Sequence, residues 1–82
     1  MFHSLLMQMN DKSKIEDKIK DLNAMRAIYH RDYETFEKQY KNNEITKDQF
    51  EKHKNTYEKK RDKIKIKIQA LEEKLEKIRK TT

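Results

Sequence analysis

From Ile15 to Tyr40 the apolar residues return at alternating steps of four and three. The row is Ile15, Ile19, Leu22, Tyr29, Tyr33, Phe36 and Tyr40, with Arg26 its single polar member. A second row runs through Phe50, Tyr57, Ile64, Ile68, Leu71, Leu75 and Ile78, interrupted by Lys54 and Arg61. This spacing keeps one stripe of a helix apolar and is the seam of a coiled coil. Between the rows, Thr46 and Gln49 have capping-box spacing, and Ile45 and Phe50 have the spacing of a hydrophobic staple. Asn42 and Asn43 precede them, and asparagine after glycine best tolerates the left-handed backbone that ends a helix. Ser13 and Glu16 repeat the box spacing ahead of the first row, with Asp17 suited to the positive end of the dipole. The pattern predicts helices over residues 13–41 and 47–80 with a turn at 42–46. So short a connection lays the helices antiparallel. The expected fold is all-α: an antiparallel two-helix hairpin of coiled-coil type, one domain over 13–82. Residues 1–12 either stay loose or extend the first helix, bringing Leu5–Met9 toward Leu75 and Ile78.

Pairing about the turn sets Phe36 against Phe50, Tyr29 against Tyr57, Leu22 against Ile64, Ile19 against Ile68 and Ile15 against Leu71. The hinge end is therefore aromatic and the open end aliphatic. Arg26 and Arg61 fall in one layer. Like charges there must snorkel, stack on Tyr29 and Tyr57, or find carboxylates such as Glu58 or Asp62. The run Ile64–Ile68 alternates like a strand, but a lone strand has no partner, so the seam period decides.

Composition sharpens this reading. Glycine, proline and cysteine are all absent. Without glycine there are no primed hairpin turns and no phosphate-cradling loops, which removes P-loop, Rossmann and all-β folds. Without cysteine there are no disulfides, thiolate metal sites or cysteine nucleophiles. Charged residues make up 44% and hydrophobic ones 33%, as in long exposed helices. No apolar run approaches the ~18 residues of a membrane span. Met1–Met9 lacks a basic leader and a cleavage site, so no signal peptide is expected. A cytoplasmic protein without membrane association is the expectation.

Little in the sequence carries chemistry. His3, His30 and His53 are scattered, and the Glu-x-x-His pairing of two-metal bundles is missing. His30 and Glu34, four apart, suit an ordinary surface contact. His53 beside the aromatic seam suits a packed ring. Ser4 and Ser13 have no base within helical reach. No catalytic, metal-binding or cofactor-binding residues are expected, and the chain is not expected to be an enzyme.

Two surfaces remain. Ala24, Met25, Ala27 and Ile28 lie off the first seam, and Ile66 and Ala70 lie off the second. A two-helix hairpin has little core of its own. Pairing two hairpins through these six residues gives a four-helix-bundle homodimer, a scaffold or adaptor that recruits a protein partner. The second surface is basic: residues 52–67 hold the whole charge excess of +6. Lys52, Lys59, Lys60, Lys63 and Lys67 are its candidate phosphate contacts, which makes DNA or RNA the alternative partner. Without a base-reading motif, such binding would be to the phosphate backbone. These lysines point to most sides of the helix, so a merely solvated face accounts for them too.

Ile45, Thr46, Phe50 and Lys54 also fall at the positions of the pattern Gly-x-Ile-Thr-x-x-Glu-Phe-x-x-x-Lys. In this respect the stretch from Tyr40 to Lys54 resembles the turn of SHOCT-type short helical domains. Asn43 stands at the glycine position and Gln49 at the glutamate, and the leucine pair that usually follows is missing. The resemblance implies an oligomerisation or interaction module and carries over no catalytic residues.

Overall fold

A computed structural model describes the backbone of residues 2–81 and the side chains of residues 11–80. Two helices, α1 (Phe2–Lys41) and α2 (Lys47–Thr81), fold back on each other as a hairpin measuring 63 × 15 × 13 Å. The second helix and the turn lie where the pattern of caps and seams places them. The first begins eleven residues earlier than Ser13: that residue sits inside α1 and does not cap it. Nothing in residues 2–12 breaks a helix, since neither glycine nor proline is present, so α1 runs through the box spacing. The side chains of Leu5–Met9, expected near Leu75 and Ile78, lie outside the described residues.

The turn is held by backbone chemistry that the asparagine makes accessible. Asn43 adopts φ 61°, the left-handed conformation that costs most residues energy and asparagine little. Its amide donates to the Tyr40 carbonyl at 3.1 Å, and the Glu44 amide donates to the Gln39 carbonyl at 2.8 Å. This pair of bonds is a Schellman motif, which satisfies carbonyls that the end of α1 would leave unpaired. Three residues on, the capping box closes in both directions. The Thr46 amide donates to Gln49 Oε1 at 3.0 Å, and the Gln49 amide donates to Thr46 Oγ1 at 3.1 Å. Ile45 and Phe50, the staple pair, are both half-buried. Replacing Thr46 with alanine removes the hydroxyl acceptor and is expected to cost about 1 kcal/mol. Thermal unfolding should show the midpoint lowered by roughly 4–8 °C, with Thr46→Ser retaining most of the native value.

Packing follows the two seams closely. Leu22, Ile64, Ile68 and Leu75 are the buried apolar side chains, and Ile19, Tyr29 and Leu71 pack against the cluster formed by the first three. Every described apolar seam residue is buried or half-buried, while the polar members Arg26, Lys54 and Arg61 are exposed. No described side chain is fully sealed from water. The core is a single strip one side chain deep.

The aromatic pairs shift by a turn from the pairing expected at the hinge. Tyr57 stacks on Tyr33 at 4.7 Å and not on Tyr29, and Phe50 stacks on Tyr40 at 4.8 Å and not on Phe36. Phe36 takes His53 instead, at 3.6 Å with the planes 6° apart. The cause is the backward lean of helical side chains. Each Cα–Cβ bond tilts toward its own helix N-terminus, so on antiparallel helices long rings reach past their backbone level in opposite directions. Short aliphatic residues lean less far. Leu22 and Ile64 therefore share a cluster as the backbone register predicts.

Candidate interaction surfaces

Helical periodicity divides the hairpin's surface into two broad faces, one on each side of the seam. On the first, Lys60, Lys67 and Lys74 follow one another at intervals of seven along α2, the coiled-coil repeat. At the hinge end of that row, a groove is lined by Tyr29, Asp32, Phe36, His53 and Lys60. At the open end, a second groove is lined by Lys14, Ile15, Lys18, Leu71, Lys74 and Lys77. Two helices thus pool their lysines on one side. Among the candidate phosphate contacts, Lys60, Lys63 and Lys67 belong to this face. Lys52 and Lys59, a further seven-residue pair, lie on the outer edge of α2. All five are exposed. Lys60 Nζ lies 4.8 Å from the centre of the Tyr29 ring, a cation–π contact that holds it over the seam.

The opposite face has the other sign. Here Glu16, Asn23, His30 and Glu37 recur at sevens along α1, facing Glu51, Glu58, Lys65 and Glu72 of α2. At mid-length a groove of about 590 Å³ is lined by Asn23, Arg26, Ala27, His30, Tyr57 and Arg61, with Asp62 and Lys65 at its rim. The two seam arginines meet in this groove, as the sequence places them, and each is held by a neighbour on its own helix. Arg26 Nη2 donates to Asn23 Oδ1 at 2.9 Å. Arg61 donates to Asp62 Oδ1 from both Nε and Nη2 at 3.3 Å, while its guanidinium lies 5.7 Å from the Tyr57 ring centre. Asp62 and Tyr57 are among the alternatives open to the two arginines from the sequence, and Arg61 takes both. Arg26 takes Asn23, and Tyr29 carries Lys60.

Beside this groove three polar side chains form a chain. His30 Nε2 pairs with Glu34 Oε1 at 2.8 Å, and His30 Nδ1 lies 3.0 Å from the Tyr57 hydroxyl. With Nε2–H donating to the carboxylate, Nδ1 accepts from Tyr57. The contact between His30 and Glu34 is legible from their spacing. The bond to Tyr57 crosses between helices and leaves no mark in either helix's sequence. It ties α1 to α2 at the hinge side of the groove. His30 and Glu34 are both more than half exposed, so the chain is a surface link.

The six residues singled out for self-association are all exposed. Met25 is 42% accessible, Ile28 55% and Ile66 66%, and these are the large apolar side chains that the described hairpin leaves in water. Met25 and Ile28 lie on the basic face near mid-length, whereas Ala27 lines the groove of the opposite face. Ile66 occupies the outer side of α2, in line with Lys52 and Lys59, and Ala70, seven residues after Lys63, lies on the basic face. The six residues therefore wrap around the hairpin and do not form one patch.

Among the described residues no group of three or more histidines or carboxylates could hold a metal ion. No helix among them is long and apolar enough to cross a membrane. No family model matches the chain, and no curated protein or solved structure matches it.

Proposed function

We propose that the hairpin is a non-enzymatic interaction module that self-associates, two copies pairing as a four-helix unit that serves as a scaffold or adaptor. The observation that carries this reading is the exposure of Met25, Ile28 and Ile66 on a hairpin with so thin a core. Two helices bury one stripe each, and large apolar side chains left outside gain by meeting a second copy. The resemblance of the turn to an oligomerisation module points the same way.

The test is a double substitution, Met25→Lys and Ile28→Lys. Both positions are off the seam, so helicity by circular dichroism should be unchanged. The average mass in sedimentation should fall to the 10.2 kDa of one chain. An unchanged mass would remove these residues from the interface, and a loss of helicity would place them in the hairpin's own core.

Pooling of Lys60, Lys63 and Lys67 with Lys14, Lys18 and Lys74 on one face supports a second reading, phosphate-backbone binding to DNA or RNA. A groove lined by lysines from two helices neutralises phosphates better than a stripe that winds around one. Binding to duplex DNA should then lose affinity with a log–log salt slope of about −0.9 per phosphate engaged. Changing Lys60, Lys63 and Lys67 to glutamine should flatten that slope. Anisotropy titrations at several salt concentrations read this directly, and no binding at about 50 mM salt would dismiss the reading.

A further inference from the structure

The two faces differ in more than sign: their charges are also displaced along the hairpin. On the acidic face, Glu34, Glu37, Glu51, Glu58 and Asp62 all lie in the half nearest the turn. The cations among them are Lys41, itself paired with Glu37 at 3.7 Å, Arg61, paired with Asp62 at 3.3 Å, and Arg26 and Lys65 near mid-length. Toward the open end that face is nearer to balance, Glu16, Glu72 and Glu76 standing beside Lys20 and Arg79. On the basic face the order is reversed. Lys14, Lys18, Lys67 and Lys74 occupy the half toward the open end, against Asp11 and Asp21, with Lys63 at mid-length. Toward the turn the same face carries Lys60 opposite Asp32, and the ring of His53, so its charge there is balanced.

Building on the self-association proposed above, we propose how the copies meet. The basic face of one hairpin lies on the acidic face of the next, with the second copy turned end for end. Turning the neighbour about the hairpin's midpoint brings its turn-side carboxylates over the open-end lysines of the first. The weakly charged remainder of each face then meets the weakly charged remainder of the other. Mid-length maps onto mid-length in this arrangement. Met25, exposed on the basic face, comes opposite the mid-length groove around Ala27 and Tyr57 in the facing surface. Knob and groove thus coincide with the charge match.

A closed twofold pair through either face is disfavoured by the same charges. Isologous pairing sets each face against itself, so Lys60, Lys63 and Lys67 would meet their own counterparts, and juxtaposed like charges oppose association. The heterologous arrangement escapes this, and it has a structural consequence. Each added copy presents a fresh basic or acidic face, so the assembly is an open stack in which every neighbouring pair forms a four-helix unit. Single exposed ion pairs contribute little, but many matched pairs set orientation and partner choice.

Charge-swap variants test this. In the first, Lys60, Lys63 and Lys67 become glutamate, which makes both faces acidic. In the second, Glu37, Glu51 and Glu58 become lysine, which makes both faces basic. Circular dichroism confirms that each remains helical. In sedimentation at about 20 mM salt, the native chain should gain mass steadily with concentration, without a plateau at two copies, and should lose most of that gain at about 500 mM. Each variant alone should stay at one chain's mass, and an equimolar mixture should associate again. A first variant that associates more strongly than the native chain would show isologous pairing and overturn the stack. So would a mixture that stays at one chain's mass. If the native chain associates and both variants do so unchanged, the charge-matched geometry fails while self-association stands. A native chain that remains at 10.2 kDa throughout ends both.

Discussion

Replacing Ile64 with alanine is expected to cost about 2–4 kcal/mol and to leave the chain largely unfolded as a monomer. Ile64 is the most buried of the four core side chains, at 4% accessible, and it contacts the cluster of Leu22 and Ile68. A thin two-helix core rarely contributes more than about 3–5 kcal/mol of net stability. One cavity in that strip therefore removes most of what separates folded from unfolded. Denaturant titration followed by helicity reads the effect. It should be made at low protein concentration, since association stabilises the folded state by mass action. Ile66→Ala, at an exposed position two residues away, should change monomer stability by no more than ~0.5 kcal/mol. If Ile64→Ala costs less than about 1 kcal/mol, the hairpin draws its stability from somewhere other than the seam.

The second large effect has the opposite sign. Changing Arg26 and Arg61 together to leucine is expected to stabilise the hairpin by about 2 kcal/mol, raising its midpoint by roughly 10 °C. Both arginines occupy seam positions, yet both are exposed, and a groove remains open in their layer. Leucine would fill that layer, and the bonds given up, to Asn23 and Asp62, are exposed ones that contribute little. The same change should loosen specificity. A polar layer at one level penalises registers that slide it against apolar neighbours, and an all-apolar seam lacks that penalty. Spin labels across the seam should then report a broader distance distribution than in the native chain. A lower midpoint in the double variant would mean that the arginines' own contacts outweigh buried leucine.

Why the hairpin and its turn could be foreseen, and other features could not, follows from how far each determinant reaches. The seam residues, the Asn43 turn and the Thr46–Gln49 box depend on neighbours within a few positions, so the sequence carries them openly. For the start of α1 the same local logic left two alternatives, and the helix takes the one that extends it through residues 2–12. Ser13 and Glu16 have the right spacing, but a cap acts only where the chain leaves the helix, and no residue before Ser13 makes it leave. The aromatic pairs required the lean of side chains on two antiparallel helices, which a register drawn from backbone levels omits. The bond from Tyr57 to His30 and the lysine-rich face depend on both helices at once. Read along α2 alone, residues 52–67 scatter their charges around the helix. Only with Lys14 and Lys18 of α1 alongside does one side become basic and the other acidic.

Self-association of an antiparallel hairpin is the central claim, and the mass of the native chain in solution tests it most directly. Sedimentation equilibrium across a wide range of concentrations at low salt should give an average mass that rises above the 10.2 kDa of one chain. A mass fixed at 10.2 kDa up to the highest concentration would contradict the account.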